Sequence, residues 1–126
     1  MPRQAQAYAW VMTVEQLRDQ LRVFAAARGW QAYHAPKNLA MALTVEVGEL
    51  LEHFQWLTEE QSRQLPPAQK AEVAHELADV FIYLVQLSDS LGVDLLQAAQ
   101  NKMARNALKY PAPDPAEAIA DPRPNP

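Results

Sequence analysis

Gly29, the Pro66-Pro67 pair and Gly92 divide this chain into four stretches, and in each of them apolar side chains recur every three or four residues, not every second one. A half-buried strand needs strict alternation, so the spacing predicts an all-α fold, a four-helix bundle. Thr13 is suited to cap the first helix, with Gln16 three positions on to complete a capping box, and Leu17, Leu21 and Phe24 carry its stripe to Gly29. The second helix starts behind Pro36 and carries Leu39, Leu43, Val47, Leu50, Leu51, Phe54 and Leu57. The third opens at Pro66-Pro67 and runs through Val73, Leu77, Val80, Phe81, Leu84, Val85 and Leu87 to Leu91-Gly92. Asp94 then caps a fourth through Leu95, Leu96, Ala99 and Met103 to about Leu108, before Tyr110-Pro111 ends it.

Six of the ten prolines fall in the last sixteen residues, so 111–126 reads as a disordered tail, 1–12 as a flexible N-terminus and 13–110 as one helical domain. A core that small is marginal alone. Ala74, Ala78, Ile82 and Val85 widen the apolar arc of the third helix past its core stripe, which predicts a homo-oligomer, a dimer or a tetramer.

Composition closes several branches of chemistry. Without cysteine there is no disulfide framework, thiolate zinc site or cysteine nucleophile. No apolar run is long enough to span a bilayer and MPRQAQAYAW lacks the apolar stretch of a secretory signal, so a cytoplasmic location with no membrane partner is expected. A net charge of −4 without a basic stripe argues against nucleic-acid binding, which needs dense Lys and Arg to displace counterions.

The acids are patterned. With Glu46 at zero on a wheel of about 100° per residue, Glu49 falls at about −60°, Asn38 and Trp56 at about −80°, and the core stripe centres at about +70°. Zeroed at Glu76, the third helix repeats the design, with Asp79 at about −60°, Tyr83 at about −20° and its stripe again at about +70°. If the two stripes pack antiparallel, Glu46, Glu49, Glu76 and Asp79 converge at one edge. One Glu pair is an ordinary solvated feature, but residues 46–79 hold eight acids against two bases, Arg63 and Lys70, so local pairing cannot neutralise the cluster. Cations can, and an all-oxygen donor set suits Mg²⁺ or Mn²⁺. A di-iron bundle is a rival reading, because Glu72-x-x-His75 matches half of its signature; the second helix, with Glu49-x-x-Glu52, has His53 one position out of register.

The strings EVGELLEHFQW at 46–56 and ELADVFIYL at 76–84 resemble the MazG-like superfamily of all-α nucleoside triphosphate pyrophosphohydrolases, whose metal motif is an ExxE on one helix and an ExxD on the next. The flanks WQAYHAPKNLAMAL at 30–43 and KMARNALKYP at 102–111 look like its short, single-domain branch, which includes dCTP pyrophosphatases. The resemblance implies Mg²⁺ on Glu46, Glu49, Glu76 and Asp79, phosphate contacts from Lys102 and Asn106 with Tyr110 closing that motif, and a base and sugar pocket beside Trp30, His34, Asn38, Trp56 and Tyr83. It implies cleavage of a (d)NTP, such as dCTP or a modified cytosine nucleotide, to (d)NMP and pyrophosphate. The chain departs from dCTP-preferring relatives at Leu21, where they carry histidine, which leaves the base open. The alternative of another class is a non-catalytic helical oligomerisation module in which the acids form a solvated face.

Overall fold

The structure, a computed structural model, describes residues 12–115. Most of the proposed flexible N-terminus and all of the tail beyond residue 115 lie outside the described residues. Among the described residues five α-helices and one 3-10 turn occur in order: α1 (Val14–Ala27), the turn (Trp30–Tyr33), α2 (Pro36–Glu52), α3 (Glu59–Ser62), α4 (Pro67–Ser90) and α5 (Leu95–Lys109). No strand occurs among the described residues, and no helix there is long and apolar enough to cross a membrane.

Local chemistry sets the boundaries. Thr13 Oγ1 accepts from the backbone N–H of Gln16 at 3.1 Å while Gln16 Oε1 accepts from that of Thr13 at 2.9 Å, the reciprocal box expected from the sequence. Gly29 and Gly92 stand just past the ends of α1 and α4 at φ 64° and 67°, a left-handed backbone that costs a residue with a Cβ. Pro36 and Pro67 open α2 and α4, where the missing N–H would have had no intrahelical partner.

The chain divides into two compact units, one ending at Asp94 and one beginning at Leu95. In the first, α4 packs chiefly on α2 and also on α1. Three pairings establish that α2 and α4 run antiparallel: Leu39 shares a cavity wall with Val85, Glu46 meets Glu76, and Gln69 Nε2 donates to the His53 carbonyl at 3.3 Å. Among the described residues Ala25, Leu39, Val73 and Val85 are the buried apolar ones. Of the second unit the structure describes α5 and residues 110–115, all exposed apart from half-buried Leu95.

Two expectations are corrected. The second helix stops at Glu52 instead of continuing through Phe54, Trp56 and Leu57, because Thr58 and Gln61 form a second capping box that starts α3. The apolar spacing runs on unbroken across this turn and hides it. Val85, expected on the outer arc of α4, is 2 % exposed because α4 is flanked on two sides, whereas Leu77 and Phe81 are left open.

Candidate functional site

Glu46 and Glu49 lie one turn apart on α2, and Glu76 comes from the middle of α4. The antiparallel register brings one carboxylate oxygen from each to within 4.8 Å of the other two. Glu46 Oε2 and Glu76 Oε2 are buried with no hydrogen-bond partner. Burial is the first cause that raises Glu46 to about 7, followed by the neighbouring Glu49 carboxyl and the charges of Asp79 and Glu76. Glu76 is raised as well, first by burial and then by the charges of Glu49 and Asp79, and His53 acts in the opposite direction. Asp79 therefore belongs to the electrostatic neighbourhood, although it stands outside the tight triplet. Buried acceptors without donors and an oxygen-only donor set are what a hard divalent cation satisfies, so these residues fit such an ion.

A second feature of the same unit is a cavity of about 320 Å³. Leu39 and Val85 line it, seven and nine residues from Glu46 and Glu76, or about 10 to 14 Å along the helices. Leu21, Gln31, His34 and Gln86 add apolar surface and hydrogen-bonding groups to its wall. Across it Arg22 Nε donates to Asp89 Oδ2 at 2.8 Å and Nη2 donates to Oδ1, a bidentate pair tying α1 to α4. The pair holds Asp89 below the usual carboxylate range. Nothing local in the sequence announces the Arg22–Asp89 pair, which spans 67 positions, and periodicity within α4 alone does not place Gln86 in the cavity wall.

Neither candidate tryptophan is core. Trp30 is 44 % exposed and meets Phe24 edge-on with ring centres 5.7 Å apart, while the His34 ring lies 6.4 Å away. Asn38 Nδ2 donates to the Tyr33 carbonyl at 3.1 Å, fastening the 3-10 turn to α2. Tyr83 is half-buried on α4, one turn beyond Asp79. Trp56 stands apart from this group, 86 % exposed in the turn after α2. Lys102 and Asn106 share one face of α5 in the second unit, and the Tyr110 backbone N–H donates to the Asn106 carbonyl at 2.7 Å.

Comparison with known proteins agrees with this architecture. The profile of the MazG-like family matches residues 41–119. dCTP pyrophosphatase 1 of Mus musculus is 46 % identical over 101 residues, covering 79 % of this chain and 59 % of that protein. The Homo sapiens enzyme of the same name is 44 % identical over 102 residues, covering 79 % and 60 %. The chain thus spans about three-fifths of the length of these relatives. A crystal structure of a pyrophosphatase from Archaeoglobus fulgidus superposes with a TM-score of 0.75 at 42 % identity, covering 82 % of this chain and 96 % of that one.

Proposed function

The chain belongs to the MazG-like family, and from that premise we propose that it is a nucleoside triphosphate pyrophosphohydrolase. Its substrate is a (d)NTP, with dCTP or a modified cytosine nucleotide favoured by the names of its relatives. Water attacks the α-phosphorus, the α–β anhydride bond breaks, and (d)NMP and pyrophosphate leave. We take residues 13–110 as the working domain, cytoplasmic and homo-oligomeric.

Glu46, Glu49, Glu76 and Asp79 would hold Mg²⁺, or Mn²⁺ in its place. When bound, the ion offsets the charge of the triphosphate and lowers the pKa of water. The carboxylates alone repel a polyphosphate, so their first task is to fix cations at the middle of the helical hairpin. Glu49 is exposed whereas Glu46 and Glu76 are half-buried, which leaves it the carboxylate best placed to take the proton of the attacking water. Lys102 and Asn106 supply a cation and an amide donor for phosphate oxygens, with Tyr110 beside them. The cavity between α1 and α4 takes the nucleoside: Leu21, Leu39 and Val85 offer apolar contact, and His34, Gln31 and Gln86 offer groups that read a base edge. Trp30, Asn38 and Tyr83 frame that side, and Trp56 supplies an aromatic face for stacking.

The observation that carries this reading is the convergence of three carboxylate oxygens from two helices, two of the acids with a buried oxygen lacking any donor. The test is a panel of nucleoside triphosphates with pyrophosphate detection, with Mg²⁺ and with chelator. Metal-dependent pyrophosphate release from at least one (d)NTP is expected. No release from any would leave the helical oligomerisation module as the better account.

A further inference from the structure

The wall of the cavity between α1 and α4 holds polar groups of two kinds. Gln31, Gln86 and Ser90 can turn to donate or to accept, and the His34 imidazole can do either. Among the described residues no side-chain hydrogen bond fixes any of these four, so they adapt to an occupant. A guanidinium only donates and an ionised carboxylate only accepts. Arg18, Arg22 and Asp89 therefore set the pattern that an occupant has to match.

The donors of that set are drawn to other partners. Arg18 gives Nε and Nη2 to Oδ1 of exposed Asp19, at 3.1 and 3.0 Å. Arg22 gives Nε and Nη2 to Asp89, and its Nη1 lies 3.7 Å from the same Asp19 oxygen. Asp89 differs. Each of its oxygens accepts one N–H from Arg22, and a carboxylate has about four lone-pair sites, so acceptor capacity remains on both oxygens. Its side chain is 22 % exposed against 56 % for that of Arg22, which makes the carboxylate the more enclosed member of the pair. The hydrogen bonds from Arg22 hold it below the usual carboxylate range, so near neutral pH it stays an acceptor. Thirteen residues, about 20 Å along α4, separate it from Glu76, which sets it well away from where the phosphates would meet the cation.

We infer that Asp89 is the specificity-determining residue of the nucleoside cavity, accepting from an exocyclic amino group and so selecting cytosine over uracil and thymine. The 4-amino group of cytosine brings N–H donors to a carboxylate that needs them. Uracil and thymine carry a carbonyl oxygen at that place, and two acceptors face to face leave both without a proton. Their ring N–H is flanked on each side by a carbonyl oxygen, so it cannot approach without bringing one of them near the carboxylate. Gln86, three residues earlier on the same face of α4, can donate its amide to the neighbouring ring nitrogen. Arg22 acts through Asp89 as a positioning residue. The selection rests on the reading of the cavity as the nucleoside site.

Two substitutions separate recognition from packing, because both break the tie between α1 and α4 and only one removes the acceptor. Isothermal titration with the α,β-methylene analogues of dCTP and dUTP in Mg²⁺ measures base preference without turnover. The unaltered protein should bind the cytosine analogue at least about tenfold more tightly. Asp89→Asn, whose amide can also donate, should bring the two within about threefold. Arg22→Gln keeps the carboxylate and should keep a preference of at least about fivefold. Deleting the amino group from the ligand, as in the 2-pyrimidinone analogue, should weaken binding to the unaltered protein at least about fivefold, a measurement that needs no variant to fold. Equal binding of the cytosine and uracil analogues, a 2-pyrimidinone analogue bound as tightly as the cytosine one, a preference that survives in Asp89→Asn, or one lost equally in Arg22→Gln would each overturn the assignment. Binding of no analogue would overturn the cavity reading together with it. If the analogues keep the expected order while dCTP itself releases no pyrophosphate, the proposed activity fails and the role of Asp89 stands.

Discussion

Glu46 Oε2 on α2 and Glu76 Oε2 on α4 are both buried, and no donor reaches either, so the middle of the helical hairpin holds acceptors from two acids where apolar packing would be expected. The sign of the resulting pH dependence follows. Glu46 is raised from 4.5 to about 7 in the folded chain, and Glu76 moves the same way. A carboxyl with a raised folded pKa contributes stability that is fully present below its unfolded value and is lost as pH rises through the folded one. The metal-free protein should therefore melt at falling temperature between about pH 5 and pH 8. Millimolar Mg²⁺ or Mn²⁺ should restore the melting temperature more at pH 8, because protons compete for the same oxygens. A flat metal-free profile, or an equal metal effect at both pH values, would contradict this.

Asp89 has the opposite sign. The hydrogen bonds of Arg22 lower its pKa from 3.8, so its contribution is present above that value and lost as pH falls below it. Asp89→Asn should lower the melting temperature near neutral pH and shrink the loss of stability below about pH 4, leaving the fall on the alkaline side unchanged. Melting curves across pH separate the two arms, and a variant that altered only the alkaline arm would refute the assignment.

Leu39 is 2 % exposed in a core with few members, whereas Val23 on α1 is 71 % exposed. Leu39→Ala should cost about 2 to 4 kcal/mol of unfolding free energy, and Val23→Ala should stay within about 0.5 kcal/mol. Denaturant titration measures both; similar costs would mean that the core lies elsewhere.

Much of this molecule was legible because its decisive signals are local. The Thr13–Gln16 box, the prolines at the helix starts and the glycines past the helix ends act within a few residues, and α1, α2, α4 and α5 form where those signals stand. The Glu46/Glu49 and Glu76/Asp79 spacings could be read because a helix turns a spacing of three into a shared face. The turn at 53–57 could not, since Phe54 and Leu57 continue the period of α2 and only Thr58-x-x-Gln61 signals a restart. The burial of Val85 and the Arg22–Asp89 pair depend on which helices flank α4, and periodicity within one helix carries no such information.

The central claim is that Glu76 serves a cation and its substrate, not the packing of the fold. Glu52 provides the comparison, because it is exposed at the last position of α2 and outside the carboxylate triplet. The measurement is pyrophosphate release from a (d)NTP in Mg²⁺ by Glu76→Gln and Glu52→Gln, alongside metal-free melting of each. Glu76→Gln should lower turnover by at least about a hundredfold, in the range lost when a group stabilising transition-state charge is removed. Its metal-free melting temperature should be equal or higher, because one member of a mutually repelling cluster has become neutral. Glu52→Gln should retain activity within about twofold. Comparable activity in the two variants, or a strongly destabilised metal-free Glu76→Gln, would contradict the account.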